Sequence, residues 1–228
     1  MIRRVRLLLR VIVGTLVALA VLLVGAATYD SLRPPISTLM VSHWMTGSPV
    51  DRRWVPLSAI SGNLASAVVM SEDGQFCGHD GVDWGSLDDV ISNPAGPSRG
   101  ASTITMQLAK NLFLWPGRSY VRKALEIPTA LAIEVIWSKS RILEAYLNIA
   151  EWGPGVFGAE AAAQVHFHKA ARDLTRREAA LLATSLPNPI LRDAARPTRL
   201  QRTLTATVLA RMASSEPWLG CLRPKRDS

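Results

Sequence analysis

Two neighbouring carboxylates lie where an apolar segment gives way to a glycine-containing turn. Glu72 and Asp73 end the apolar segment, and residues 74–81 form the turn. A carboxylate that a rigid element holds open to substrate suits general acid–base catalysis, and shielding by Phe76 would raise its pKa toward a working pH. The alternative is that both acids solvate a helix end. His79, in the same turn, is interpreted as a structural hydrogen-bonding residue.

A second group of polar residues lies on a helix predicted over residues 102–114. Ser102 or Thr103 is the expected N-cap, and the free N–H groups at such a helix start suit a phosphate. Three polar residues share one helical face by their spacing: Gln107, Lys110 and Asn111. The motif alone is weak, because many helices begin in this way.

A basic stretch strengthens the phosphate interpretation. Arg118, Arg122 and Lys123 precede Glu126, and cations beside an acid suit a polyphosphate leaving group. Arg122 and Glu126 are also four residues apart, so a simple surface ion pair on a helix is the alternative. Four apolar residues separate the two polar groups: Leu112, Phe113, Leu114 and Trp115. They fit either a buried core segment or a membrane-contacting one.

The N-terminal residues indicate a membrane segment. Four arginines, of which Arg10 is the last, precede an uncharged run over residues 11–28. As a helix this run would span about 27 Å, close to the hydrocarbon thickness of a bilayer. Excess arginine retains residues 1–10 in the cytoplasm, so we expect a transmembrane anchor over residues 11–29. A cleaved signal peptide ending near Gly25 is the alternative.

Composition excludes several classes of protein. Of 228 residues, 48% are hydrophobic and 19% are charged, which excludes a disordered chain. The net charge is +8, but without the four leading arginines 22 basic residues face 18 acidic ones, which argues against nucleic-acid binding. Cys77 and Cys221 belong to no metal-binding pattern. Two isolated thiols are the favoured interpretation, and pairing in an oxidising compartment remains the alternative.

The periodicity predicts a mainly α fold without convincing strands or internal repeats. We expect a stalk over residues 30–57, a folded domain over 58–214 and a tail over 215–228. The helices are predicted over residues 63–70, 83–92, 102–114, 120–137, 140–149, 158–167, 175–186 and 197–214. Pro128 should kink or break the fourth of these, and Thr175 to Glu178 forms a capping box.

Four motifs occur in a fixed order. They are Glu72-Asp-x-x-Phe76-x-x-His79-x-Gly81, the run from Gly100 to Asn111, Arg122-Lys-x-x-Glu126, and Lys139-x-x-Ile-Leu-Glu-x-Tyr-Leu-Asn148. With these motifs the sequence resembles the peptidoglycan glycosyltransferases of family 51, from about Val55 to Pro189. Ala101 and Met106 depart from the family's commoner glycine and glutamine, which affects only fine contacts.

The resemblance implies a fold and an activity. The fold would be a lysozyme-like helical lobe with a small membrane-contacting jaw, preceded by one transmembrane helix. The activity would be polymerisation of lipid II, with Glu72 as general base on the acceptor's 4-hydroxyl, inversion at the donor's anomeric carbon and release of undecaprenyl pyrophosphate. A membrane-bound lytic transglycosylase or lysozyme-type hydrolase, or a non-catalytic glycan-binding scaffold, remains the alternative.

The resemblance also assigns roles to the site residues. Lys110 and Arg118 would hold the pyrophosphate, with help from Arg122 and Lys123. The expected substrate contacts are Gln107, Asn111, Ser102 and Thr103, and the expected membrane contacts are Leu112, Phe113, Leu114 and Trp115. Glu126 matches a second essential glutamate that orients the cations or holds a divalent cation, Mg²⁺ or Mn²⁺, on the pyrophosphate. Three residues of the fourth motif are read as mostly structural: Glu144, Tyr146 and Asn148.

The implied location follows from the anchor. The protein would be a single-pass protein of the cytoplasmic (inner) membrane with its catalytic domain on the periplasmic or extracellular side. Its partners would be lipid II, the growing glycan strand and other cell-wall synthesis proteins, and no nucleic acid.

Overall fold

The computed structural model describes residues 2–92, 102–117 and 119–222, and this part of the chain is mainly helical. Its α-helices are α1 Ile2–Leu32, α2 Thr38–Met45, α3 Gly62–Glu72, α4 Trp84–Ser92, α5 Ile104–Phe113, α6 Tyr120–Ile136, α7 Lys139–Ile149, α8 Ala159–Phe167, α9 Arg176–Ser185 and α10 Arg199–Met212. Three short strands form one small sheet: β1 Asp51–Arg52, β2 Glu151–Gly153 and β3 Val156–Phe157. The expected mainly α class is confirmed, and the strands are an addition to it.

Side-chain caps determine where most central helices begin. The capping hydroxyls belong to Ser61, Thr103, Ser119, Ser138, Thr175 and Thr198, and each accepts a hydrogen bond from a backbone N–H in the first turn. The predicted capping box between Thr175 and Glu178 is present. In contrast, α6 continues through Pro128 instead of breaking there. Pro128 is exposed, while Ala130 and Ile133 beyond it are buried in the core and stabilise the second half of the helix.

Residues 30–57 do not form the expected stalk but contribute to the folded domain. Met40 of α2 is fully buried in the core, and β1 pairs in parallel with β3. The Asp51 N–H also donates to the Gly155 carbonyl at 2.8 Å. An eight-residue helix and a two-residue strand are too short to show a periodic pattern in the sequence, so the prediction missed them.

Helix packing brings the predicted site residues together. α3 packs against α9 and α10, and α5 packs between α6 and α7. The largest fully buried side chains include Trp152, Phe76 and Phe157. Because α3 ends at Glu72 beside α5, the acidic motif and the polar face of α5 meet at one place.

The N-terminal helix α1 is long enough to cross a membrane, and its C-terminal end is hydrogen-bonded to the folded domain. It contains a strongly apolar window with a mean hydropathy of 2.8, none of which is buried in the domain. The helix extends beyond the predicted residues 11–29, because the flanking arginines and leucines are good helix formers. The Trp137 indole N–H donates to the Ala27 carbonyl at 2.8 Å, and Arg141 donates to the Asp30 carbonyl at 2.8 Å.

Cys77 and Cys221 form a disulfide, which corrects the interpretation of two isolated thiols. Their Cα atoms are 5.5 Å apart although 144 positions separate them in sequence. The bond joins the turn that follows Glu72 to the 3₁₀ segment Glu216–Leu222. Nothing in the local sequence around either cysteine indicates the other as a partner.

We expect the double substitution Cys77→Ser and Cys221→Ser to lower the free energy of unfolding by about 2–4 kcal/mol, because the cross-link restricts the unfolded chain over a long loop. Denaturant unfolding of the full-length protein in detergent measures the change. The wild type unfolded in dithiothreitol serves as the matched comparison and should resemble the double variant. Equal stability of the oxidised wild type and the variant would contradict this expectation.

Candidate active site

Glu72 is the last residue of α3, and its carboxylate is held by neighbouring donors. Gln107 Nε2 donates to Glu72 Oε2 at 3.1 Å, and Ser71 Oγ donates to Glu72 Oε1 at 3.2 Å. Burial, and to a smaller degree the charge of Asp73, raises the pKa of Glu72 above its ordinary value of 4.5, while the two donors and Arg192 oppose this shift. The carboxyl group therefore titrates closer to neutral pH than an exposed glutamate does.

Asp73 has a structural role that distinguishes it from Glu72. Its buried carboxylate lies 2.9 Å from His79 Nε2 and accepts a hydrogen bond of 2.9 Å from the Ile104 N–H at the start of α5. The His79 carbonyl in turn accepts a hydrogen bond from Lys139 Nζ at 2.6 Å. The interpretation of His79 as a structural residue is confirmed. Of the two neighbouring acids, Glu72 is the one available for chemistry.

Gln107 connects Glu72 to a buried tyrosine. The Tyr146 hydroxyl donates to Gln107 Oε1 at 2.9 Å, so the two ends of the amide are held by α7 and α3. Burial, followed by the charges of Glu72 and Asp73, raises the pKa of Tyr146 well above 10, so the phenol stays protonated. This hydrogen bond was not predictable from the sequence, because helical spacing indicates contacts within one helix and not between two residues on different helices.

Lys110, Arg122 and Lys123 form a cation cluster around Glu126. Lys123 Nζ lies 2.7 Å from Glu126 Oε2 and 2.5 Å from Ser102 Oγ, and Arg122 also pairs with Glu126. Glu126 is only 3% exposed. The ion pair that helical spacing suggested therefore exists, but it is buried and fixes two cations beside the start of α5.

Lys110 is the member of the cation cluster that α5 carries and that also interacts with the charge of Glu72. Burial lowers its pKa below 10.5, and the charges of Arg122 and Lys123 act in the same direction, whereas Glu126 and Glu72 raise it. Lys110 is one turn of α5 beyond Gln107, a rise of about 4.5 Å. Helix α5 thus carries both Gln107, which donates a hydrogen bond to Glu72, and Lys110, whose charge interacts with those of Glu72 and Glu126.

Not every predicted substrate contact is free for substrate. Thr103 is buried, donates to the Gly81 carbonyl at 2.6 Å and accepts from the Met106 N–H at 3.1 Å, so it is the N-cap of α5. This corrects its expected role as a substrate contact. Asn111 is half-buried beside Lys110. Arg118 lies outside the described residues.

Of the apolar residues 112–115, Leu112 and Leu114 belong to the core, which corrects their expected role as membrane contacts, whereas for Phe113 and Trp115 that role stays a prediction. Leu112 and Leu114 are buried and Phe113 is half-buried, because the apolar face of α5 extends through them. Trp115 is 46% exposed and is the member of the group that remains accessible.

The fourth motif supports the fold. Glu144 Oε2 accepts from the Leu57 N–H at 2.8 Å, and the Asn148 side chain bonds both the N–H and the carbonyl of Val55 at 2.9 Å. The structural interpretation of Glu144 and Asn148 is confirmed.

The residues around Glu126 do not fit a protein-bound divalent cation. Both oxygens of its carboxylate are occupied by the positively charged Arg122 and Lys123, and Lys110 adds a third cation. A divalent cation is favoured by several oxygen ligands of negative charge. Within residues 2–92, 102–117 and 119–222, no group of three His, Cys, Asp or Glu side chains could hold one.

Together these features describe a helical protein with an N-terminal helix long and apolar enough to cross a membrane, and with the carboxylate of Glu72 beside a helix that carries one member of the cation cluster. The model of the transglycosylase family matches residues 39–213. The chain is 51% identical over 222 residues to a biosynthetic peptidoglycan transglycosylase of Agrobacterium fabrum, covering 95% of this chain and 98% of the relative. A protein of the same description from Brucella suis is 50% identical, covering 96% and 98%. The chain belongs to the transglycosylase family.

Another relative of that description, from Rhodopseudomonas palustris, is 54% identical over 186 residues, covering 80% of this chain and 82% of the relative. The family match begins at residue 39 and so includes most of α2. It agrees with the burial of Met40 in placing part of the expected stalk within the folded domain.

Proposed function

We propose that this protein polymerises the glycan strands of peptidoglycan. It transfers the growing lipid-linked glycan onto the 4-hydroxyl of lipid II and releases undecaprenyl pyrophosphate. Family membership and the description shared by its relatives support the reaction class. The observation that carries the proposal is the Glu72 carboxylate, joined through Gln107 to the helix that bears Lys110.

In the proposed reaction, Glu72 acts as general base on the acceptor. Its carboxylate takes the proton from the 4-hydroxyl as the oxygen forms a bond to the donor's anomeric carbon. The bond between that carbon and the α-linked pyrophosphate breaks on the opposite face, and the electron pair leaves with the pyrophosphate. The product is a β-1,4 linkage with inversion. A positioned base of this kind contributes roughly 10²–10⁴-fold to the rate.

The cation cluster stabilises the charge that develops on the leaving pyrophosphate. Fixed cations that need no reorganisation during the reaction are effective for this purpose. Glu126 holds Arg122 and Lys123 in place, because its buried carboxylate pairs with both of them. Arg118, by the resemblance to the family, is proposed to join Lys110 in holding the pyrophosphate. The reaction proposed here involves no divalent cation. Such an ion would have to arrive already bound to the pyrophosphate oxygens, because Glu126 is occupied by Arg122 and Lys123.

Three observations support a single-pass membrane protein with its domain on the outer side. The first is α1, whose N-terminal turns contain arginines that favour the cytoplasm. The second is the disulfide, since such bonds persist in oxidising compartments. The third is an exposed apolar stripe along α6, which includes Tyr120, Val121, Leu125, Leu131 and Val135. α6 packs against α1, and an exposed apolar stripe on the helix beside the membrane segment fits a lipid-contacting surface.

A polymerisation assay distinguishes the proposed reaction from its nearest rival. A lytic transglycosylase or lysozyme-type hydrolase would use Glu72 as a general acid on a sugar leaving group, and the cation cluster would have no role. Full-length protein in detergent is supplied with lipid II, with and without a chelator, and in parallel with finished peptidoglycan. Long glycan strands together with released undecaprenyl pyrophosphate support the proposal. Degradation of finished peptidoglycan without strand formation would establish the rival.

A further inference from the structure

The hydrogen bonds from Tyr146 through Gln107 to Glu72 form a directed chain across three helices. One end of the Gln107 amide is an oxygen that accepts hydrogen bonds, and the other is an NH₂ group that donates them. The orientation of the amide therefore decides which end faces Tyr146 and which faces Glu72. With the Tyr146 hydroxyl donating to Oε1 at 2.9 Å, Nε2 is left to donate to Glu72 Oε2 at 3.1 Å. The reversed amide would direct Oε1 at a carboxylate, which is repulsive when Glu72 is ionised.

We propose that Tyr146 is a positioning residue for the general base: by fixing the orientation of the Gln107 amide, it keeps an N–H directed at the Glu72 carboxylate. This inference rests on the proposed function only for its predicted effect on the rate of lipid II polymerisation. Tyr146 is 2% exposed and lies behind Gln107 as seen from Glu72, so it acts through the amide and touches no substrate.

The charges that face Glu72 come from several elements. They are Asp73 directly after α3, Lys110 on α5, and Arg192 between α9 and α10. Arg211 of α10 donates to the Met70 carbonyl at 3.3 Å, near the end of α3. None of these charged groups is altered by removing the Tyr146 hydroxyl, so a Tyr146→Phe substitution isolates the hydrogen-bond chain.

In Tyr146→Phe the Gln107 amide loses its fixed orientation, and it can then reverse so that Oε1 accepts a hydrogen bond from the protonated Glu72 carboxyl, which favours the neutral form. We therefore expect the pKa of Glu72 to rise by about one unit, which is part of the effect of a hydrogen bond to a charged group. The acid limb of kcat/KM for lipid II moves to higher pH by the same amount, while KM changes little. The Glu72 pKa is read by carbon-13 NMR of the labelled full-length protein without substrate, with Glu72→Gln assigning the signal.

A double-mutant cycle separates this role from a purely structural one. Gln107→Leu should raise the Glu72 pKa at least as much as Tyr146→Phe, and adding Tyr146→Phe to Gln107→Leu should raise it no further. Thr203→Val, which removes one hydroxyl at an exposed position of α10, is the matched control and should leave the Glu72 pKa unchanged. Should Tyr146→Phe fail to fold, the Gln107→Leu shift alone decides the matter.

Two results would overturn the positioning role. One is a Tyr146→Phe protein that is less stable but has an unchanged Glu72 pKa, and the other is a Gln107→Leu protein whose Glu72 pKa does not rise. A wild-type protein that makes no strands from lipid II would refute the proposed function, yet the substrate-free NMR titration would still decide whether the hydrogen-bond chain acts on Glu72.

Discussion

Replacing Glu72 by Gln is expected to reduce lipid II polymerisation by roughly 10²–10⁴-fold, the contribution of a positioned general base. The amide has nearly the same shape and still offers an oxygen to Gln107 Nε2, so the geometry of the site is retained. The rate of strand formation and the release of undecaprenyl pyrophosphate measure the loss. Asp89→Asn, at an exposed position on α4, is the matched control and should polymerise like the wild type.

The same variant gives a stability result of known sign. Because the pKa of Glu72 is raised in the folded state, its contribution to stability is present below the unfolded value and is lost as pH rises through the folded pKa. At neutral pH the ionised Glu72 therefore disfavours folding, and Glu72→Gln should unfold at the same or a higher temperature. An inactive variant with a lower Tm would indicate a damaged fold, and an active one would remove Glu72 from the mechanism.

Replacing Lys110 by Met is expected to lower kcat by about 10²–10³-fold, the cost of removing one fixed charge that meets developing negative charge. KM should change less, because the charge on the pyrophosphate increases only as its bond to the sugar breaks. Single-turnover and steady-state polymerisation assays give both constants. Lys110→Arg keeps the charge but alters its shape, so it should recover part of the lost rate.

The stability of the Lys110 variant distinguishes a catalytic loss from unfolding. Burial lowers the pKa of Lys110, so in the folded state its charged form is disfavoured, and stability increases as pH rises from the folded pKa to the unfolded one. Lys110→Met should therefore be no less stable than the wild type at neutral pH. Arg202→Gln, on the exposed face of α10, controls for the loss of one positive charge. An unchanged kcat in Lys110→Met would show that the leaving group is stabilised elsewhere.

The sequence is informative where a local pattern carries the structure. Glu72, Lys110 and Glu126 belong to motifs of fixed spacing, and the structure brings them together because α5 packs against α6 and Gln107 of α5 bonds Glu72 at the end of α3. The capping box at Thr175 and Glu178 was predictable for the same reason, since both of its hydrogen bonds are local.

Features that depend on distant contacts were not predictable in this way. The pairing of Tyr146 with Gln107 and the disulfide between Cys77 and Cys221 join residues on separate elements, and no spacing rule connects them. The apolar residue Leu112 fits a membrane contact as well as a core position when read alone. Only the packing of α5 shows that it is buried.

The role of Glu72 is tested most directly by measuring two pKa values on the same full-length protein. One is the pKa of the Glu72 carboxyl group, from a carbon-13 NMR titration without substrate. The other is the pKa obtained from the acid limb of the pH profile of kcat/KM for lipid II, which reports the essential base of the free enzyme. A general base at Glu72 requires the two values to coincide, and the burial of Glu72 predicts that both lie above 4.5. An acid limb that differs from the titration of Glu72, or that persists unchanged in the residual activity of Glu72→Gln, would contradict it.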